Sequence, residues 1–191
     1  NRWTASSRMF RCYNAPDCCR KTETRMLELG VKFLISYFIG SLMGAMIMGK
    51  LKGGVDIRTM GSGNAGGTNA LRSQGWLFAL GVVIIDIGKG AVAAGLVPMI
   101  DLPILDGRDV IGLEVTRASC GVAAIIGHMW PVYHGFRGGK GVATFLGALA
   151  VILPVAILPA LGVWLVILVA TGFVGLSSIL AVVATVPVGM W

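Results

Sequence analysis

The 191 residues carry a formal net charge of +7, yet only 13% are charged, 55% are hydrophobic and the mean hydropathy is +0.81. A soluble domain of this size covers its surface with about a quarter charged residues, so the composition excludes that class and points to a membrane protein. The basic residues sit at the ends of apolar runs and form no aromatic-interleaved patch, which argues against nucleic acid as a partner.

Residues 1–30 are polar and basic, without clear periodicity, and read as a separate segment. Met26 stands just before the first apolar run, so the upstream residues are expected to be extraneous to a membrane domain over 31–191; a cytosolic extension is the other reading. Cys12, Cys18 and Cys19 have no histidine nearby, so no zinc site is expected there. Nor does any carboxylate cluster suggest another metal or a cofactor.

The first span is predicted over 31–49, closed by Lys50 and Lys52, with a loop rich in Gly and Asn after it. A second span covers 76–100 and contains Asp86 and Lys89. An acidic loop, 101–117, holds Pro103 and Gly107. The third span, 118–132, is closed by the interfacial aromatics Trp130 and Tyr133. A short loop with Arg137 and Lys140 then leads into residues 141–191, which contain no Asp, Glu, Lys, Arg or His. At roughly 20 apolar residues per span, that stretch holds two or three, with Pro154, Pro159 and Pro187 marking kinks or ends. The fold expected is an all-α bundle of five to six transmembrane helices.

Loop charge sets the orientation. The 50–75 loop has a net charge of +3, the 133–140 loop +2 and the 101–117 loop −2. Basic loops stay on the cytoplasmic side, so both Gly-rich loops face the cytoplasm and the acidic loop faces out. Residues 1–32, with seven basic and three acidic residues, run against this scheme.

Two loops carry the chemistry. In the first, Gly61, Gly63, Gly66 and Gly67 are interleaved with Ser62, Asn64, Thr68 and Asn69, and Arg58 lies just upstream. Glycines permit turns whose successive N–H groups form an anion-binding nest, and Arg58 adds a planar fork suited to phosphate. No Lys-Ser/Thr pair follows, so this is not a Walker A loop. In the second, Gly138, Gly139 and Gly141 surround Lys140 just before a long apolar helix, a favourable place for a phosphate. Asp86 and Lys89 share a helix face at i and i+3. Asp86 lies roughly 15 Å into its span at 1.5 Å per residue, where charges are costly. They read equally well as a structural pair or as part of a site.

Taken together, Gly61-Ser62-Gly63-Asn64-x-Gly66-x-Thr68-Asn69 after Asp56-x-Arg58, Asp86-x-x-Lys89-Gly90, and Gly127-His128-x-Trp130-Pro131 with Phe136-x-Gly138-Gly139-Lys140-Gly141-Val142-Ala143-Thr144 resemble the signatures of the PlsY-type acyl-phosphate:glycerol-3-phosphate acyltransferases. The resemblance covers 31–191 in order and spacing. It implies a bacterial inner-membrane enzyme, with its active site facing the cytoplasm, that moves an acyl chain from acyl phosphate to the 1-hydroxyl of glycerol 3-phosphate, giving lysophosphatidic acid. The bilayer is its other partner, no cofactor is needed, and a monomer is expected.

By that resemblance Ser41, Arg58 and Lys140 are the catalytic candidates. The amides and side chains of Gly61, Ser62, Gly63, Asn64, Gly66, Thr68, Asn69, Gly138, Gly139, Gly141 and Thr144 would cradle phosphate, and Asp86, Lys89 and His128 would line the site. Two departures stand out: Met43 replaces the proline of the family's Ser-x-Pro, and the family's final span and His/Asn/Glu signature are not found before Trp191. The chain therefore reads as C-terminally truncated, with part of the acceptor site missing. A small transporter of phosphate-like anions, with the Gly-rich loops as gates, is the alternative.

The orientation is tested by single cysteines at Gln74 and Asp106 in a cysteine-free background. Labelling from opposite faces of the membrane is expected, and labelling of both from outside would sink the assignment.

Overall fold

A computed structural model describes residues 16–102 and 112–189. Expectations that concern Cys12, Pro103, Asp106, Gly107, Arg108 and Asp109 lie outside these residues, as do the side chains of Cys18 and Cys19. Among the described residues every regular element is helical.

Helix α1, Pro16–Gly40, opens on a proline, which is pre-set for the first helical position. It runs without interruption through residue 30, where the sequence suggests a change of character. The first span is not the single helix predicted over 31–49. It breaks at 41–43 and resumes as α2, Gly44–Leu51. At the break Met43 is extended (φ −90°, ψ 121°), and the Ser41 amide and hydroxyl both donate to the Tyr37 carbonyl, each at 2.9 Å. The whole stretch from Met26 to Leu51 is still apolar and long enough to cross a membrane.

The loop that follows contains a 3-10 turn, Ile57–Thr59, and a short helix, α3, Gly67–Gln74. The second span is α4, Trp76–Gly95, extended by a 3-10 turn, Val97–Met99. In place of the third span expected over 118–132 stands α5, Leu113–Met129, which starts inside the expected acidic loop and ends before Trp130. After a 3-10 turn at Val132–His134 come α6, Val142–Ile152, then α7, Ile157–Thr171, and α8, Val174–Val188. Pro154 opens a 3-10 turn between α6 and α7, and Pro187 lies in the last turn of α8. Together with the neighbours at their ends, α4 and α7 are also long and apolar enough to span, while α6 and α8 are shorter apolar helices.

The core is α1, α4, α5 and α6, and it is held by small residues. In a bilayer there is no hydrophobic drive between helices, so close backbone approach through Gly and Ala supplies the packing. A side chain at Gly40 would meet the Ala124 carbonyl, and one at Gly127 would meet the Tyr37 carbonyl, which joins α1 to α5. Gly90 lies against the Thr144 carbonyl and Gly147 against the Ile87 carbonyl, which joins α4 to α6. The pair α7–α8 packs mainly on itself, tied by Trp164 Nε1 donating to Ser178 Oγ at 3.3 Å.

The bundle has two ends. At one, the Lys32 ammonium donates to the Pro98 carbonyl at 2.9 Å, joining α1 to the turn after α4. At the other, both Gly-rich loops emerge together. Adding a methyl inside a helix normally stabilises it by up to about 1 kcal/mol, so the sign of a Gly→Ala change reports packing. Gly147→Ala is expected to destabilise by about 1–3 kcal/mol, as overpacking does, while Gly162→Ala on α7, with open space around it, should be neutral or stabilising. Melting in detergent checks both, and an unchanged melting temperature for Gly147→Ala would refute the close α4–α6 approach.

Candidate active site

The first Gly-rich loop is shaped by two side chains of its own. Asp56 caps the 3-10 turn, accepting from the Arg58 amide at 2.9 Å. Asn69, buried on α3, donates to the carbonyls of Ile57 (2.9 Å) and Met60 (3.0 Å) and accepts from the Ser62 amide (3.0 Å). Its amide protons are thus committed to holding the loop. Gly61 has to be glycine twice over: its φ is +57°, and a Cβ would overlap the Asn69 carboxamide oxygen.

Arg58 ties this loop to the second. Its guanidinium grips Asp56 through Nε (3.0 Å to Oδ1) and Nη2 (2.8 Å to Oδ2), and its Nη1 donates to the His134 carbonyl at 3.0 Å. Five N–H donors sit on a guanidinium. Three are used here, so two remain for a ligand. The Arg58 pairing holds the Asp56 carboxyl below the usual carboxylate range, and Asp56 in turn raises Arg58. Burial, with Arg58 and Lys50 adding to it, lowers the His134 imidazole, so positive charge here comes from the arginines.

The second loop folds back through a 3-10 turn and two successive left-handed residues, Gly135 (φ +65°) and Phe136 (φ +58°). A non-glycine residue in that region stores of order 1 kcal/mol of strain or more. The strained turn brings Arg137 and Gly138 round to face Arg58. The result is an open cavity of about 410 Å³ lined by Asp56, Arg58, Thr59, Gly63, His134, Gly135, Arg137 and Gly138. Two arginines against one carboxylate, with Gly63, Gly135 and Gly138 beside them, give the cavity a net positive lining.

Of the expected residues, Arg58, Gly63 and Gly138 line this cavity. Ser62 and Thr68 are exposed nearby, and Gly66 caps α3. Asn64 lies against Gly66. Gly141, left-handed at φ +79°, caps α6. Lys140 is exposed but lies beside Gly175 on α8 and is not among the lining residues. Ser41 and Thr144 are fully buried away from the cavity, and the Thr144 hydroxyl has no partner. Arg137, His134 and Thr59 were not foreseen as lining residues. The signal for Arg137 was present, since it adjoins the run of glycines.

Asp86, Lys89 and His128 do not line the cavity; they form a buried cluster beneath the loops. Asp86 Oδ1 accepts from the Gly44 amide (3.1 Å) and from Lys89 Nζ (2.9 Å). Lys89 also donates to the Leu42 carbonyl (2.8 Å) and lies 2.8 Å from His128 Nδ1. The helix break thus leaves free an amide and a carbonyl that this pair satisfies. Among the described residues no group of three His, Cys, Asp or Glu side chains is arranged to hold a metal ion.

A profile of the Glycerol-3-phosphate acyltransferase family matches residues 31–191. The chain is 42% identical over 163 residues to the glycerol-3-phosphate acyltransferase of Chlorobaculum tepidum, covering 83% of this chain and 69% of that one. Its identity to the Salinibacter ruber enzyme is 43% over 164 residues, with 83% and 72% covered. The fold is similar to crystal structures of PlsY (YgiH), an integral membrane glycerol 3-phosphate acyltransferase. The glycerol 3-phosphate form aligns with a TM-score of 0.66 at 36% identity, over 82% of this chain and 73% of that one. The lysophosphatidic acid form aligns at 0.68 and 35%, over 85% and 76%.

Proposed function

The chain belongs to the glycerol-3-phosphate acyltransferase family of integral membrane enzymes of phospholipid synthesis, and on that premise we propose that its acyl donor is an acyl phosphate and its product lysophosphatidic acid. The observation that carries this reading is the cavity between the loops, where Arg58 and Arg137 converge with Gly63 and Gly138. Both substrates would present phosphate there. Membership of an enzyme family sets the transporter alternative aside.

An acyl phosphate is a mixed anhydride with a good leaving group, so no covalent intermediate on the protein is required. The glycerol 3-phosphate hydroxyl attacks the acyl carbon, the C–O bond to phosphate breaks, and inorganic phosphate departs; a phosphate oxygen takes the hydroxyl proton. The protein's part is orientation and stabilisation of the charge that grows on the departing phosphate. Amides of the two Gly-rich loops suit the second task. The free N–H groups of Arg58, with Arg137, suit the holding of the acceptor phosphate. The acyl tail lies among the apolar helices, which accounts for a membrane enzyme.

We assign residues 31–191 as the catalytic membrane domain and treat it as a monomer. The bacterial relatives support a place in a bacterial inner membrane, and the loop charges support the cavity on its cytoplasmic side. Lys140, displaced from the cavity toward α8, is assigned the edge of the site, where it attracts anions without gripping them.

The reaction is tested by following phosphate release from palmitoyl phosphate, with and without glycerol 3-phosphate, against acyl thioester donors. Release that depends on the acceptor is expected, and transfer only from thioesters would overturn the donor assignment. Arg58→Ala and Arg137→Ala should insert normally and lose about one to two orders of magnitude in kcat/KM for glycerol 3-phosphate, as for a charged hydrogen bond of about 1.5–3 kcal/mol. Lys140→Ala should lose less. Near-normal kinetics for both arginine variants would remove them from the site.

A further inference from the structure

The buried cluster beneath the loops has a definite hydrogen-bond logic. An ammonium group has three protons and no acceptor. Lys89 Nζ has three acceptors around it: Asp86 Oδ1 at 2.9 Å, the Leu42 carbonyl at 2.8 Å and His128 Nδ1 at 2.8 Å. The direct approach of His128 Nδ1 to Asp86 is longer, at 3.4 Å. Lys89 is therefore the hub, with Asp86 Oδ1, the Leu42 carbonyl and His128 Nδ1 all within hydrogen-bond reach of its Nζ.

The far edge of that ring meets the second Gly-rich loop. A methyl on Gly139 would overlap Nε2 of His128 and crowd Cε1 and Cδ2, and one on Gly138 would overlap the His128 carbonyl. The Gly139 amide donates to that same carbonyl at 3.1 Å. Gly139 does not have a left-handed φ, so the imidazole alone demands glycine there. A continuous path thus runs from the break in the first span (Leu42, Gly44), through Asp86 and Lys89 on α4, to His128 at the end of α5, and on to Gly139. All three side chains are buried and none reaches the cavity.

We propose that Asp86, Lys89 and His128 are positioning residues that fix the second Gly-rich loop relative to the broken first span, and so aim its amides at the departing phosphate. The proposal rests on the acyl-transfer reading above. Misaimed amides weaken stabilisation that develops only in the transition state. Loss of the relay therefore lowers kcat more than it changes KM in protein that melts like the wild type, whereas a mere loss of folded protein, which also lowers apparent kcat at constant KM, shows in the melting curve and leaves the label separation of the folded fraction unchanged.

Two sets of variants test this in the purified protein, each compared by melting in detergent, kinetics of glycerol 3-phosphate acylation, and dipolar broadening between spin labels at Lys50 and Phe136 with the native cysteines replaced. Asp86→Asn with Lys89→Met removes both charges together, so neither is left buried alone. The expected result is a protein that melts near the wild type, with kcat down about tenfold or more, KM for glycerol 3-phosphate within about threefold, and an altered label separation. Unchanged kcat with an unchanged separation would overturn the proposal.

Should that pair not fold, the seat of Gly139 decides. Gly139→Ala should lose about tenfold in kcat, and adding His128→Asn, which keeps an acceptor for Lys89 but vacates the ring's space, should recover about threefold or more of it, because contacting residues are not additive. Additive losses would overturn the proposal. A wild-type protein that transfers no acyl group would refute the functional reading instead, and the label separation would still judge the relay.

Discussion

A lysine amine buried between helices needs hydrogen-bond partners for its polar N–H groups, and three segments of this molecule meet where Lys89 finds them. One acceptor is the Asp86 carboxylate a turn away on the same helix, one is the Leu42 carbonyl freed by the break in the first span, and one is His128 at the end of α5. Removing one partner of such a pair costs about 3–5 kcal/mol because it strands the other charge. The break is thus stabilised by the pair, and the pair is made tolerable by the break. Three separate segments of sequence are locked at one level of the bundle, directly under the loops that carry the site.

Above this level the two loops meet through a second charged tie, from Arg58 to Asp56 and to the His134 carbonyl. Below it, glycines at Gly90, Gly127 and Gly147 let helix backbones touch. The three layers do different work. Small residues let the helices come close, the buried cluster joins three of them, and the loop tie closes a cavity with a basic lining. Local strain at Phe136 is maintained by this surrounding structure, and it turns Arg137 toward the cavity.

Much of this is legible in the sequence, for identifiable reasons. The spans follow from uncharged length, the pairing of Asp86 with Lys89 from their three-residue spacing, and the meeting of Arg58 with Gly63 and Gly138 at one cavity from the glycines of the two loops. The break at 41–43 is not legible, because Ser41-Leu42-Met43 is an apolar helical sequence by local preference and only the partners on α4 make its interruption favourable. Asn69 reads as a ligand donor by type, whereas long-range geometry turns it onto the backbone of its own loop. Lys140 reads as a phosphate lysine because glycines flank it, and its ammonium lies beside Gly175 on α8, a neighbour that local sequence does not announce. Arg137, one residue from those glycines, passes for an ordinary basic anchor until the strained turn before it is seen.

We propose one anion site between the two loops, in which arginine side chains grip the phosphate of the acceptor. It is tested most directly by solid-state NMR of the protein in bilayers, with 15N-labelled arginine and bound glycerol 3-phosphate. The expected result is that 31P dephases guanidinium nitrogens of Arg58 and Arg137, and that each signal disappears from the dephased set when its own arginine is replaced by lysine. Saturating glycerol 3-phosphate that leaves every arginine signal undisturbed would contradict it.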